Sequence, residues 1–385
     1  MKRFLFWMLM LSPLYAYAQL SGSGYYRVQN RYTGRYLSIV DTRASYEISA
    51  TAAGNVIADL DALYMLKGFE NKVAFNPATI CYVQTIGTNS CNLEGQGLDF
   101  YEQTNLLLNY ADRGNGYYWL YGTATKLSAV KYLADDSGEA DFDYEKYFAP
   151  NLETPGKGRE WKIYPVTQED DRYFGVKPDV KASANNLYWS TLYAGFPFKA
   201  SAETTKLYTV SEIDYTAGYA IIEEITGIVP KQTPVLVLCS GSTPKENKLT
   251  LYAPSATGEV PDNRLVGNYY CNDVTGTHRN VKAYNPANMR MLGVTADGRP
   301  AFVKSNISYI PANKCYLPVY SSAPDELLII TADDYKKGSS GIEDVRVADK
   351  VNTQEIWYTL DGRRLQSKPT TKGLYIVNGK KVIVK

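Results

Sequence analysis

Histidine is almost missing from this 385-residue chain, with His278 the only one. A histidine-dependent triad would have to be assembled around that single side chain. It sits in a polar turn, Thr275-Gly276-Thr277-His278-Arg279-Asn280, without a serine elbow or cysteine motif beside it, and reads as a solvated loop residue. Zinc needs several nitrogen or sulfur ligands; one histidine and five scattered cysteines do not supply them, so no metal and no cofactor are expected. Glycine-rich phosphate loops are absent as well. The acid-rich run from Asp135 and Asp136 through Asp141 and Asp143 to Glu145 lacks EF-hand spacing and is expected to be a solvated loop. Charge of one sign is also lacking. The chain has 41 basic and 40 acidic residues, and without Lys2 and Arg3 the basic count falls to 39, so no global field draws it to nucleic acid or anionic lipid. No segment reaches the roughly 18 uninterrupted apolar residues of a membrane span.

What is present starts with an export pattern. Lys2 and Arg3 precede a short apolar run over 4–11, and Ala16-Tyr17-Ala18 supplies a small-x-small cleavage site, so 1–18 reads as a signal peptide and the mature chain as starting near Gln19. The expected location is outside the cell or on its outer surface, with the periplasm in transit. Tyrosine is abundant, at 34 residues, which suits both β-sheets and surfaces that recognise by stacking and hydroxyl bonding. In an oxidising compartment disulfides persist. Cys81 and Cys91 lie close in sequence in a domain with no other cysteine, which predicts a bridge, with two buried thiols as the alternative. Of Cys239, Cys271 and Cys315 at least one is left unpaired in its domain, and a buried thiol acting as a small hydrophobe accounts for it.

Helical periodicity is scarce. Val56, Ile57, Leu60, Leu63, Tyr64 and Leu66 predict one short amphipathic helix, and the remainder alternates in short aromatic and β-branched runs broken by Asn-Gly, Asp-Gly and Gly-Ser turns, the pattern of an all-β protein. A first domain spans 21–166. Its opening, Gly24-Tyr25-Tyr26-Arg27-Val28 through Arg35-Tyr36-Leu37-Ser38-Ile39, is partly echoed by Gly116-Tyr117-Tyr118-Trp119-Leu120 and Leu127-Ser128-Ala129-Val130. With Arg159-Glu160-Trp161-Lys162-Ile163 as a closing strand, this resembles the ricin-type β-trefoil; Cys91-Asn92-Leu93-Glu94 up to Leu98 would supply part of a middle repeat. A second domain, 171–334, carries candidate strands at 173–176, 187–193, 206–213, 220–225, 235–239, 301–303, 314–320 and 326–330, which predicts a β-sandwich. Its stretches 187–193 and 227–235 resemble β-rich units that recur in secreted proteins of the Bacteroidetes. Lys336-Lys337-Gly338-Ser339-Ser340-Gly341 has a linker composition, and 335–341 is expected to join a small β-hairpin module at 342–385. In that module hairpins turn on Asp361-Gly362 and Asn378-Gly379. Together with Gly373-Leu374-Tyr375-Ile376-Val377 and the last five residues, Lys381-Val382-Ile383-Val384-Lys385, it resembles the C-terminal sorting domain of type IX secretion cargo, although the Pro-Asn-Pro stretch typical of that pattern is missing. The resemblance implies a partner in the secretion machinery.

The candidate site comes from alternation. If Tyr26, Val28, Tyr118 and Leu120 point into a barrel, Arg27 and Trp119 point outward, and Tyr117, Trp119 and Tyr121 form an outer aromatic row. Pyranose C–H faces pack on such rings while hydroxyls find polar side chains. A ricin-type galactose pocket is not expected, since Gln-x-Trp is absent and Ser38 stands where those lectins usually place the sugar-binding Asp. Paired carboxylates of a glycosidase can come from any spacing, but Glu223 and Glu224, adjacent in a strand, point to opposite faces. The expectation is a non-catalytic binding protein for carbohydrate or a cell-surface glycoprotein. An adhesin or protease inhibitor with a protein partner, and a secreted carbohydrate-active hydrolase using two acids, are the alternatives.

Overall fold

The computed structural model describes residues 20, 22–39, 63–95, 105–124, 129–135, 148–149, 157–269, 282–339, 357–359, 364–365, 368–377 and 380–384. The signal peptide, His278, Cys271 and the acidic run after Asp135 lie outside them. The chain is all-β and divides into a large compact unit ending at Tyr335 and a small one from Lys336 onward.

The first ten strands form one sheet: β1 (Gly24–Asn30), β2 (Tyr36–Ile39), β3 (Leu63–Leu66), β4 (Cys81–Gly87), β5 (Ser90–Gly95), β6 (Asn105–Asp112), β7 (Tyr117–Ala124), β8 (Ala129–Leu133), β9 (Phe148–Ala149) and β10 (Glu160–Pro165). Antiparallel pairing runs β1–β4–β5–β6–β7–β10 and back to β1, a closed ring of six strands. Hairpins β2–β3 and β8–β9 branch off after β1 and after β7, a trefoil-like connectivity; residues 96–104, between β5 and β6, lie outside the described residues. Closure leaves the ring no free edge. Period-two alternation fills it: Tyr26 and Val28, Cys81 and Val83, Cys91 and Leu93, Tyr118 and Leu120, and Trp161 and Ile163 share one core with Leu37, Met65 and Leu133. The Trp161 indole donates to the Leu133 carbonyl at 2.8 Å, tying the closing strand to the second hairpin.

Three expectations are corrected in this domain. Cys81 and Cys91 are both buried free thiols. The β4–β5 register sets Cys91 opposite Thr85, four residues along the strand from Cys81. That is roughly 13 Å at strand rise, beyond disulfide reach, and both thiols serve as core hydrophobes whose pKa burial pushes up to about 12. Leu63–Leu66, assigned above to a helix, is a strand paired with β2. Asp135 is not solvated. It is buried against Arg35, also buried, whose Nε donates to Oδ2 at 2.9 Å.

The second domain adds β11 (Phe174–Gly175), β12 (Val180–Ala182), β13 (Leu187–Leu192), β14 (Phe198–Ala200), β15 (Lys206–Asp214), β16 (Tyr219–Glu224), β17 (Val235–Cys239), β18 (Lys248–Leu251), β19 (Val266–Asn268), β20 (Met289–Val294), β21 (Pro300–Val303), β22 (Lys314–Pro318) and β23 (Glu326–Thr331). A ten-stranded sheet runs β12-β13-β17-β15-β16-β23-β21-β20-β22-β19, antiparallel except for β16 with β23. A three-stranded sheet, β11-β18-β14, is the second layer, and the two enclose Phe174, Phe198, Leu249, Leu207, Val235 and Val237. Val235–Cys239 is apolar throughout because it is buried on both faces: Leu236 belongs instead to the core on the far side, with Trp189, Val210, Phe302 and Leu317. The large sheet curls around that far core until β12 lies against β20 and β13 against β22. Lys314 seals the contact, with Nζ 2.7 Å from Asp179 and 3.0 Å from Ser190 Oγ.

Arg27 joins the two domains. Expected to face outward from the barrel, it does so, but it is 1% exposed because the 69–79 segment of its own domain and the start of the second domain cover it together. Its guanidinium donates to Thr79 Oγ1 at 3.0 Å, to the Tyr173 and Arg172 carbonyls at 2.8 and 3.2 Å, and to the Val73 and Ala74 carbonyls at 3.3 and 3.4 Å. Burial pulls its pKa down to about 10, so it stays charged at neutral pH. Tyr25 and Ile80 of the barrel enter the second domain's core beside it, with Tyr25 5.6 Å from the Phe196 ring.

Residues through Ser339 that composition assigned to a linker lie in a helix, α1 (Ala332–Ser339). The small C-terminal unit is an antiparallel sheet in the order β25-β24-β26-β27, with β24 (Trp357–Tyr358), β25 (Arg364–Leu365), β26 (Gly373–Val377) and β27 (Lys380–Val384). Trp357 is buried in it, and Leu374 and Ile383 stand opposite each other and exposed.

Candidate functional site

With Tyr118 and Leu120 committed to the barrel core, Tyr117, Trp119 and Tyr121 fall on the outer side of β7, each half-buried. Pairing with β10 sets Trp119 opposite Glu160 and Tyr117 opposite Lys162, and the next outward residue of β10 is Tyr164. The row is therefore part of a two-strand surface.

Cations cover this surface. The Arg113 guanidinium lies 3.6 Å from the centre of the Trp119 ring, and Arg31 lies 4.4 Å from that of Tyr117. Lys162 Nζ sits between Tyr164 at 4.8 Å and Tyr117 at 5.9 Å, and Arg172 is 5.3 Å from Tyr164. At exposed sites each contact of this kind contributes about 0.5–1 kcal/mol. Two of the cations also hold carboxylates: Arg31 pairs with Glu160, and Arg172 lies 3.4 Å from Glu169 and 3.6 Å from Asp171. Arg113 and Lys162 form no ion pair among the described residues.

Local chain chemistry puts Arg113 where it is. It sits in the turn 112–116 between β6 and β7, where Gly114, Asn115 and Gly116 all have positive φ, Asp112 Oδ1 accepts from the Gly114 N–H at 2.7 Å, and the Arg113 N–H donates to the Tyr117 carbonyl at 2.8 Å. That curl folds the exposed arginine back over the strand that follows. Arg113 was missed as a site residue although the Asp-Arg-Gly-Asn-Gly run marks a tight turn beside the aromatic row; Arg31, Lys162 and Arg172 come from other segments and needed the register.

Other candidate chemistry is not assembled. Ser38 is fully buried, so the position where ricin-type lectins carry their aspartate offers no side chain to a sugar. Glu223 and Glu224 are exposed, and Glu224 is 2.8 Å from Lys206 rather than facing a second acid. No group of three or more His, Cys, Asp or Glu side chains gathers among the described residues. What the arrangement around β7 and β10 can do is offer aromatic surface, hydroxyls and guanidinium donors to a ligand laid along the strands. Comparison with known proteins finds no family model and no curated relative that matches this chain.

Proposed function

We propose that this chain is an exported, surface-associated binding protein that takes a glycan on the outer face of its trefoil-like barrel and does no chemistry on it. The observation that carries the proposal is the aromatic row Tyr117, Trp119 and Tyr121, which alternation places outside the barrel and which keeps partial exposure although Arg27, outward-facing on β1, is buried. Partly exposed rings with tyrosine hydroxyls and arginine donors beside them match the two needs of sugar recognition, a flat apolar face and directional hydrogen bonds. Export rests on the pattern of residues 1–18, and sorting on the tail.

The test is a broad glycan array with the full chain and its Trp119→Ala variant. Binding that the variant loses supports the proposal and locates the site; silence across the array sinks it. A protein partner is the second reading, favoured by a different feature: Tyr320 is 71% exposed and lies 5.1 Å from the Tyr215 ring on the second domain. Exposed tyrosine pairs are common at protein interfaces. Pull-downs that Tyr320→Ser weakens and Trp119→Ala leaves intact would favour it.

A further inference from the structure

The covering of the aromatic row selects among sugars. The Arg113 guanidinium sits over the Trp119 ring at 3.6 Å, so a sugar ring that stacks on that face has to move it aside. A neutral sugar returns only hydroxyl hydrogen bonds for the contact it breaks. A sugar bearing a carboxylate or sulfate returns more, because the displaced guanidinium can pair with it through two parallel charge-assisted hydrogen bonds, stronger than neutral ones. Lys162 provides a second charge across the β7–β10 pairing, opposite Tyr117, and Tyr117 and Trp119 are two residues apart on β7, about 7 Å at strand rise. Arg113 and Lys162 are also the two cations of the patch without a carboxylate among the described residues, whereas Arg31 and Arg172 already hold theirs.

We infer that this face binds an anionic oligosaccharide, with Trp119 and Tyr117 as the stacking surface and Arg113 and Lys162 as its two charge contacts. The inference rests on the glycan proposal above and adds the charge of the ligand. Charge complementarity is what favours this occupant over a neutral glycan: Arg113 and Lys162 lie over Trp119 and Tyr117 and hold no carboxylate among the described residues.

Titration calorimetry on the full chain tests it, with hexagalacturonate as the carboxylate probe, a heparin hexasaccharide as the sulfate probe, and cellohexaose and maltohexaose as neutral probes. At least one acidic probe should bind tenfold or more tightly, as an order of magnitude, than either neutral one, and its affinity should drop as sodium chloride rises from about 50 to 300 mM. Arg113→Gln and Lys162→Gln should each weaken that binding by roughly threefold to tenfold without moving the melting temperature, since Arg113 is exposed and Lys162 lies on the solvent side of its strand. Preference for one acidic probe names the anion as carboxylate or sulfate. Neutral probes binding as tightly as acidic ones, with Trp119→Ala abolishing both, would overturn the charge inference and leave the glycan site standing. Acidic binding that is insensitive to salt, or unaffected by both Gln variants, would overturn it as well. Failure of all four probes would remove this inference and, with a silent array, the glycan proposal beneath it.

Discussion

Arg27 shows how much can depend on one side chain. Five acceptors from three segments converge on its guanidinium, and a substitution leaves them buried without their donor, which costs more than the hydrogen bonds contribute on balance. Arg27→Met should therefore lower the stability of the large unit by about 3 kcal/mol in urea denaturation, and a loss below about 1 kcal/mol would refute the role assigned to it. Lysine should not rescue, because a single ammonium cannot reach the same fan of carbonyls. The cysteines give a prediction of the opposite kind. Since Cys81 and Cys91 are core thiols separated along paired strands, alkylation in denaturant without reductant should label both, and reductant should leave the melting temperature unchanged. A mass showing the two joined would contradict the register.

At the level of elements, α1 is tied down through Asp214. Its carboxylate caps the β15–β16 turn by accepting from the Thr216 and Ala217 N–H groups at 2.9 Å each, and it accepts the Tyr335 hydroxyl at 2.7 Å. These bonds, the Ala217 amide first and the Tyr335 hydroxyl next, hold the Asp214 pKa below its ordinary value. A carboxylate whose folded pKa is depressed adds stability above its unfolded pKa, near 3.9, and loses it as the pH falls through the lower folded value. Asp214→Asn should thus melt below the unaltered chain at pH 7 and converge on it toward pH 3; a gap that stays constant down to pH 3 would rule the mechanism out. Legibility in sequence follows the same division between local and distant partners. Tyr26, Val28, Tyr118 and Leu120 could be assigned to the core because alternation within one strand sorts them, and Val235–Cys239 could be read as a strand from its run of five apolar residues. Strands such as Val180–Ala182 and Phe198–Ala200 could not, since three residues with a lysine among them carry no periodicity and owe their place to the partner strand. Nor could the covering of the aromatic row by Lys162, which reaches Tyr117 from 45 residues away through the β10–β7 register.

At the scale of the whole molecule, the two units differ in how much holds each together. The large unit has three substantial cores. In the small unit Trp357 is the one fully buried side chain among the described residues, with Lys368 over its ring at 5.7 Å, and β27 is an edge strand with Ile383 68% exposed. A sheet of this size with one buried aromatic is marginal by itself, and an edge strand with free backbone groups is a template for pairing with another chain. Both properties suit a tail that secretion machinery takes up in extended form, which is the sorting role proposed for it. Removing residues 341–385 should leave the main melting transition within about 1 °C, since the three cores are built from residues of the large unit alone, while limited proteolysis of the full chain should cut in the small unit first. The same truncation expressed in the native cell should accumulate inside the outer membrane. Surface display equal to that of the full chain would remove the sorting role and leave the unit as a small β-module that ends the fold; retention with an unchanged melting transition would separate a failure of export from a failure of folding.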